Sequence, residues 1–199
     1  MGTETTGGFR NININNIVVM PSSDQREKFC GQWIGISAIA LEIVDGGVME
    51  NINVSNFTVE GTQAPIFVRL ANRARPYQKG LEKPGVGSIR DVRISNITVY
   101  NAGPIGSSIT GIPGHCVEDV ELSNITIHQK GGVTAEMMPK IYAKSADERE
   151  KKYPEGTGWG ILPAKGFFVR HARHIKFENV VIKSQEPDIR PDFLEIDVK

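Results

Sequence analysis

The sequence predicts an all-β fold, a right-handed parallel β-helix of about five coils, and three observations predict it. A short apolar alternation, an Asn and a second apolar alternation recur as NININNIVV (11–19), NINVSNFTV (51–59), VRISNITVY (92–100), VELSNITIH (120–128) and IKFENVVIK (175–183). The central residue of each copy, Asn16, Asn56, Asn96, Asn124 and Asn179, tolerates left-handed backbone geometry, so each copy reads as strand, one-residue bend, strand. The copies are 40, 40, 28 and 55 residues apart. A constant unit with variable loops fits a β-helix better than ankyrin or leucine-rich repeats, whose periods are far more uniform. A one-residue corner cannot close a hairpin, which needs two or more loop residues, so the copies must run in one direction.

The elements follow in order. GTETTGGF opens the chain with neither the apolar core of a signal peptide nor a helix to close a solenoid. An uncovered first coil would leave strand edges unpaired, so the expectation is the C-terminal part of a longer β-helix. A further strand follows each Asn phrase: IALEIV (39–44), PIFVRL (65–70), SSITGI (107–112), FFVRH (167–171) and FLEIDV (193–198). That gives three strands per coil, one sharp Asn corner and two looser corners. Alternation places Ile14, Ile17, Val54, Phe57, Ile94, Ile97, Leu122, Ile125, Phe177 and Val180 in the core. On the further strands it turns Ile39, Leu41, Ile43, Ile66, Val68, Leu70, Phe167, Val169 and His171 inward, and Ala40, Glu42, Phe67, Arg69, Phe168 and Arg170 outward.

Residues 1–199 read as one domain with a loop-and-helix insertion at 129–165. Within it Ser145 to Glu148 match a capping box, which predicts a helix over Arg149 to Lys152, ended by Pro154 and Gly156. Trp159 lies between two glycines, where an indole could stack on a sugar ring or plug the loop onto the rod; Trp33 presents the same choice.

Composition removes some classes of function. The 23 basic and 23 acidic residues cancel, which excludes a binder that holds nucleic acid by bulk charge. No apolar run approaches the ~20 residues of a membrane span. Cys30 and Cys116 fall in different coils without CxxC or Cys/His metal spacing, so two buried thiols are expected and no cofactor is called for.

The blocks GTETTGGFRNI, GISAIALEIVDGG, APIFVRLANRAR, SSITGIPGH, LPAKGFFVRHA and PDIRPDF resemble, in this order and over nearly the whole chain, the C-terminal half of bacterial polygalacturonase-like proteins of glycoside hydrolase family 28. The resemblance implies a pectin-lyase-like solenoid with its cleft along the further strands. It also implies inverting hydrolysis of pectin or rhamnogalacturonan, acidic plant polysaccharides, by an extracellular or periplasmic parent protein. The family's Asn-Thr-Asp, Asp-Asp and Gly-His-Gly segments have no counterpart here; GTETTGG matches the stretch just after them. No catalytic residue is therefore assigned.

Candidate substrate-binding residues are Glu42, Arg69, Arg170, Trp159 and His115. Where the family usually carries Arg-Ile-Lys on a cleft strand, this chain has Ala40, Leu41, Glu42 and Ile43, which reverses the local charge and favours a neutral or differently placed sugar, as in a rhamnogalacturonan. Arg on a cleft face suits a carboxylate through its planar fork, and an alternative for Arg69 is an ion pair with Glu42 one coil away. His115 reads as a corner residue and His171 as a packed or hydrogen-bonded one. Two other functional classes stay open. One is a carbohydrate-binding β-helix without catalysis. The other is a lyase or epimerase, which would need carboxylates for Ca²⁺ where only Glu42 and Asp45 are found.

Overall fold

A computed structural model describes residues 1–22 and 34–199; Cys30 and Trp33 lie outside the described residues. Nine strands form one sheet nearly closed round an axis: β1 (Gly8–Val19), β2 (Ile39–Ile43), β3 (Val48–Glu60), β4 (Ile66–Leu70), β5 (Ser88–Ala102), β6 (Ser107–Thr110), β7 (Val117–Gln129), β8 (Phe167–Ser184) and β9 (Phe193–Val198). Every pairing between them is parallel. The strand order is β1-β3-β5-β7-β8-β6-β4-β2, with β9 also on β8. The sheet curls through β8, whose first residues pair with β6 and whose remainder pairs with β7.

The Asn of each repeated phrase sits in the left-handed region, with φ of 59, 59, 56, 55 and 52° at Asn16, Asn56, Asn96, Asn124 and Asn179. Their side chains form a continuous ladder. Each Nδ2 donates to the Oδ1 of the Asn before it, at 3.1 Å from Asn56, 3.1 Å from Asn96, 3.2 Å from Asn124 and 2.8 Å from Asn179. The amide thus serves both the corner, which needs positive φ at low cost, and the stack, which needs a donor and an acceptor about 4.8 Å apart.

A second one-residue corner lies five residues before the first, which corrects the expectation of a single sharp corner per repeat. Asn11, Asn51, Asp91, Asp119 and His174 have φ between 52 and 57°. Asn51 Nδ2 donates to Asn11 Oδ1 at 2.8 Å, and His174 Nδ1 lies 2.9 Å from Asp119 Oδ1. Mixed residue types hid this corner, although all but His174 are the Asn and Asp that left-handed geometry favours.

Between the corners alternation resumes, and inward residues stack in columns. Ile14, Val54, Ile94, Leu122 and Phe177 form one; Ile17, Phe57, Ile97, Ile125 and Val180 form the next. Val54, Phe57, Ile94, Ile97, Leu122 and Ile125 are buried, while Ile14, Phe177 and Val180 pack against them part-buried. Ile17 is 39% exposed, contrary to expectation, because β1 is the last strand on its side and no strand of the described residues covers it. On the other half, Leu41, Val68, Ile109 and Val169 make a column that ends in exposed Glu195 on β9. Met1 lies along β2, its ammonium donating to the Ala40 carbonyl at 2.7 Å and its carbonyl accepting from Glu42 N–H at 2.9 Å. Cys116 is a free, half-buried thiol.

The insertion also departs from its expected form. Its helix, α1 (Met138–Ser145), precedes the Ser145–Glu148 stretch instead of following it. Pro139 lies in the first turn, where its fixed φ and missing N–H fit. Ser145 Oγ donates back to the Tyr142 carbonyl, and Asp147 Oδ1 accepts from Arg149 N–H at 2.9 Å, so the supposed cap closes a helix end and a turn. Arg149 then takes φ of 51°.

Asn96 both donates and accepts in the ladder, whereas Asn16 only accepts. We predict that Asn96→Ala, which removes two hydrogen bonds and places a Cβ-bearing residue without local compensation in the left-handed region, costs about 2 to 3 kcal/mol. Asn16→Ala should cost about half as much. Urea denaturation checks this, and equal losses would mean that the ladder does not support the corners.

Candidate functional site

The outer face of β2, β4, β6 and β8 carries two side-chain rows in strict register. One runs Glu42, Arg69, Thr110, Arg170; the other runs Ala40, Phe67, Ser108, Phe168. The second row is mostly apolar and lies under the insertion, whose Trp159, Leu162 and Ala164 pack on Phe67 and Phe168 together with Ala64 and Ile105. Trp159 is only 4% exposed, so of its two expected roles it takes that of plug.

The first row is buried as well. Arg69 donates through Nη1 to the Gly111 carbonyl at 2.9 Å and to Thr110 Oγ1 at 3.2 Å, and through Nη2 to the Glu148 carbonyl at 2.6 Å. Its partners are thus on β6, the turn after it and the insertion, and the expected ion pair with Glu42 is not formed. Gly111 must be glycine for this contact, since a Cβ there would lie 2.3 Å from the His115 carbonyl and 2.5 Å from that of His171. Arg170 donates to the Ser145 carbonyl at 2.7 Å and the Asp147 carbonyl at 3.2 Å, and its Nη2 lies 3.1 Å from Glu148 Oε2. Trp159 Nε1 donates to the same Asp147 carbonyl at 2.7 Å. Two guanidiniums and an indole therefore collect the carbonyls just beyond the C-terminus of α1, where cations complement the helix dipole.

Three guanidiniums gather round the indole. The guanidinium carbons of Arg69, Arg170 and Arg149 lie 5.2, 5.8 and 5.9 Å from the Trp159 ring centre, close enough for cation–π attraction. Burial, and next the neighbouring Arg170, hold the Arg69 guanidinium down to about 10, with Glu148 opposing. Burial likewise lowers Arg170, against the pull of Glu148 and Asp147.

His171 departs from its expected inward position. Its φ of 50° makes it a corner residue, and its ring faces two carboxylates, with Nδ1 2.7 Å from Asp197 Oδ2 and Nε2 3.2 Å from Glu148 Oε1. Only the doubly protonated ring donates to both at once. His115 stands apart, exposed in a tight turn closed by reciprocal backbone bonds with Ile112, beside a hollow shared with Arg90, Glu118 and Arg173.

Glu42, at the head of the row, is 8% exposed. Burial pushes its carboxyl up to about 7; the Met1 ammonium opposes this, Glu155 adds to it and Arg73 opposes it. Near neutral pH such a group can donate a proton. Asp45 is engaged instead with both Arg73 and the Arg75 N–H. Among the described residues no group of three or more His, Cys, Asp or Glu side chains is arranged to hold a metal ion. No helix of the described residues is long and apolar enough to cross a membrane.

Comparison with family models, with curated proteins and with solved structures finds no match to this chain.

Glu148 and Arg149 are the residues that sequence reading passed over, because the apparent capping box assigned them to a helix. Between about pH 4.5 and 7 the folded chain holds a proton on Glu42 that the unfolded chain releases. The stabilisation tied to that proton is complete below about pH 4.5 and is lost as pH rises through 7. We predict that Glu42→Gln is more stable than the parent chain at pH 8 by on the order of 3 kcal/mol, with the gap closing toward pH 5. Urea midpoints at the two pH values check this. Arg170→Ala should cost roughly 1.5 to 3 kcal/mol and expose the bonds after Arg149, Lys151 and Lys152 to trypsin; unchanged digestion would mean that Arg170 does not hold the insertion down.

Proposed function

We propose that this chain is the C-terminal part of a polygalacturonase-like glycoside hydrolase acting on pectic polysaccharide, wound as about five coils of right-handed parallel β-helix, with its parent protein outside the cell or in the periplasm. The observation that carries the reading is the cationic cluster of Arg69, Arg149 and Arg170 around Trp159, on the face where the sequence resemblance puts the polysaccharide groove. Guanidiniums beside an aromatic ring suit an acidic sugar polymer, and a parallel stack repeats contacts at a step of about 4.8 Å along such a polymer.

Inverting hydrolysis uses an acid and a base roughly 6.5 to 9.5 Å apart. The family segments that supply them are not in this sequence, so this chain contributes groove and not chemistry. A carbohydrate-binding β-helix without catalysis is the second reading, since no acid and base pair for hydrolysis is assigned in this sequence. A calcium-dependent lyase has less support, since Asp45 is already taken by Arg73 and Arg75.

The purified chain is expected to release no reducing ends from polygalacturonate or rhamnogalacturonan. Turnover that persists in Glu42→Gln would place an active site elsewhere in the chain. Turnover abolished by that substitution would make Glu42 the proton donor.

A further inference from the structure

An open pocket of about 490 Å³ lies on the outer flank of the insertion, a size typical of small-ligand sites. Lys144, Asp147, Arg149, Thr157 and Trp159 line it, with Gly158 and Gly160. Lys144 projects from the last turn of α1, and Arg149 from the turn that follows. Neither side chain has a carboxylate partner among the described residues. Asp147, the acid nearest in sequence, uses Oδ1 to accept the backbone N–H of Arg149. The guanidinium of Arg149 lies so close to Gly158 that a Cβ there would sit 2.9 Å from Nη2, so the glycine makes room for the cation. Arg149 also holds φ of 51°, a conformation that a long side chain without local hydrogen bonding rarely adopts and that often accompanies functional sites.

Beneath the indole floor lie Arg69 and Arg170. Of the carboxylates in this neighbourhood, Glu148 is held by Arg170 and His171, Glu150 accepts from Asn72 and Glu155 from Thr157, so Lys144 and Arg149 are the cations left for a ligand among the described residues. The Thr157 hydroxyl donates to Glu155, which leaves its lone pairs to accept from a ligand hydroxyl. We propose that this pocket binds one uronic acid unit of an acidic oligosaccharide, its carboxylate held by Arg149 and Lys144 and a hydroxyl by Thr157. This rests on the reading of the chain as a binder of acidic polysaccharide. It moves the contact from the buried row to the surface of the insertion: the insertion, which covers Arg69 and Arg170, itself presents the groove.

The test is an NMR titration of the whole chain with galacturonic acid trisaccharide and, separately, galactose trisaccharide, following the indole N–H of Trp159. The acidic sugar should shift that resonance and the neutral one should not. Lys144→Gln with Arg149→Gln, which removes both charges and leaves unbranched polar side chains, should weaken affinity roughly tenfold or more, the scale of one or two charged hydrogen bonds. Undiminished binding by the double variant overturns the pocket and leaves the acidic-polysaccharide reading in place. Absence of binding of the acidic trisaccharide by the parent chain overturns both.

Discussion

The fold depends on a corner made by a single residue in left-handed geometry. A conventional turn would carry the chain back on itself, whereas one residue near φ of 55° only bends it, so the next strand continues round the axis. Asparagine meets this need and also passes a hydrogen bond along the stack. Five such residues in register fix which strand lies over which, and everything inward of them follows by alternation. The loops carry no such constraint, which is why repeat spacing varies without disturbing the columns of Val, Leu and Ile.

This division explains what could be read in advance. The strands on both sides of Asn56, Asn96 and Asn124 were legible because the same residue recurs after a Ser and two before a Thr, within apolar alternation. The corner at Asn11, Asn51, Asp91, Asp119 and His174 was not, since its three residue types share only a backbone conformation. The outward row of Glu42, Arg69 and Arg170 was legible from parity. Its burial was not, because burial depends on a non-repeating segment far away in sequence. The Ser145–Glu148 stretch misled for a related reason. A capping signature is local, while the carbonyls of Ser145, Asp147 and Glu148 are claimed by guanidiniums on β4 and β8, and those bonds need a non-helical backbone.

Arg69 and Arg170 also show that pointing away from a solenoid axis differs from facing water. Each spends its donors on backbone carbonyls, a use for which the planar guanidinium is better suited than an ammonium group. The insertion is thereby joined to the sheet by polar contacts at one end and by Trp159, Leu162 and Ala164 at the other. Removing either set leaves the other unsupported: apolar surface opens on one side, and buried charge is stranded on the other.

The two margins of the sheet are unlike each other. Along β1, Ile17 presents hydrocarbon to solvent and Ile14 is only half-covered, on an edge that no strand of the described residues pairs. Along β9, the column of Leu41, Val68, Ile109 and Val169 terminates in the carboxylate of Glu195. A strand laid against β9 would have to desolvate that charge, while one laid against β1 would cover apolar side chains and gain a ladder partner for Asn16. The two margins therefore differ in what a neighbouring strand would meet: apolar side chains along β1 and a carboxylate on β9.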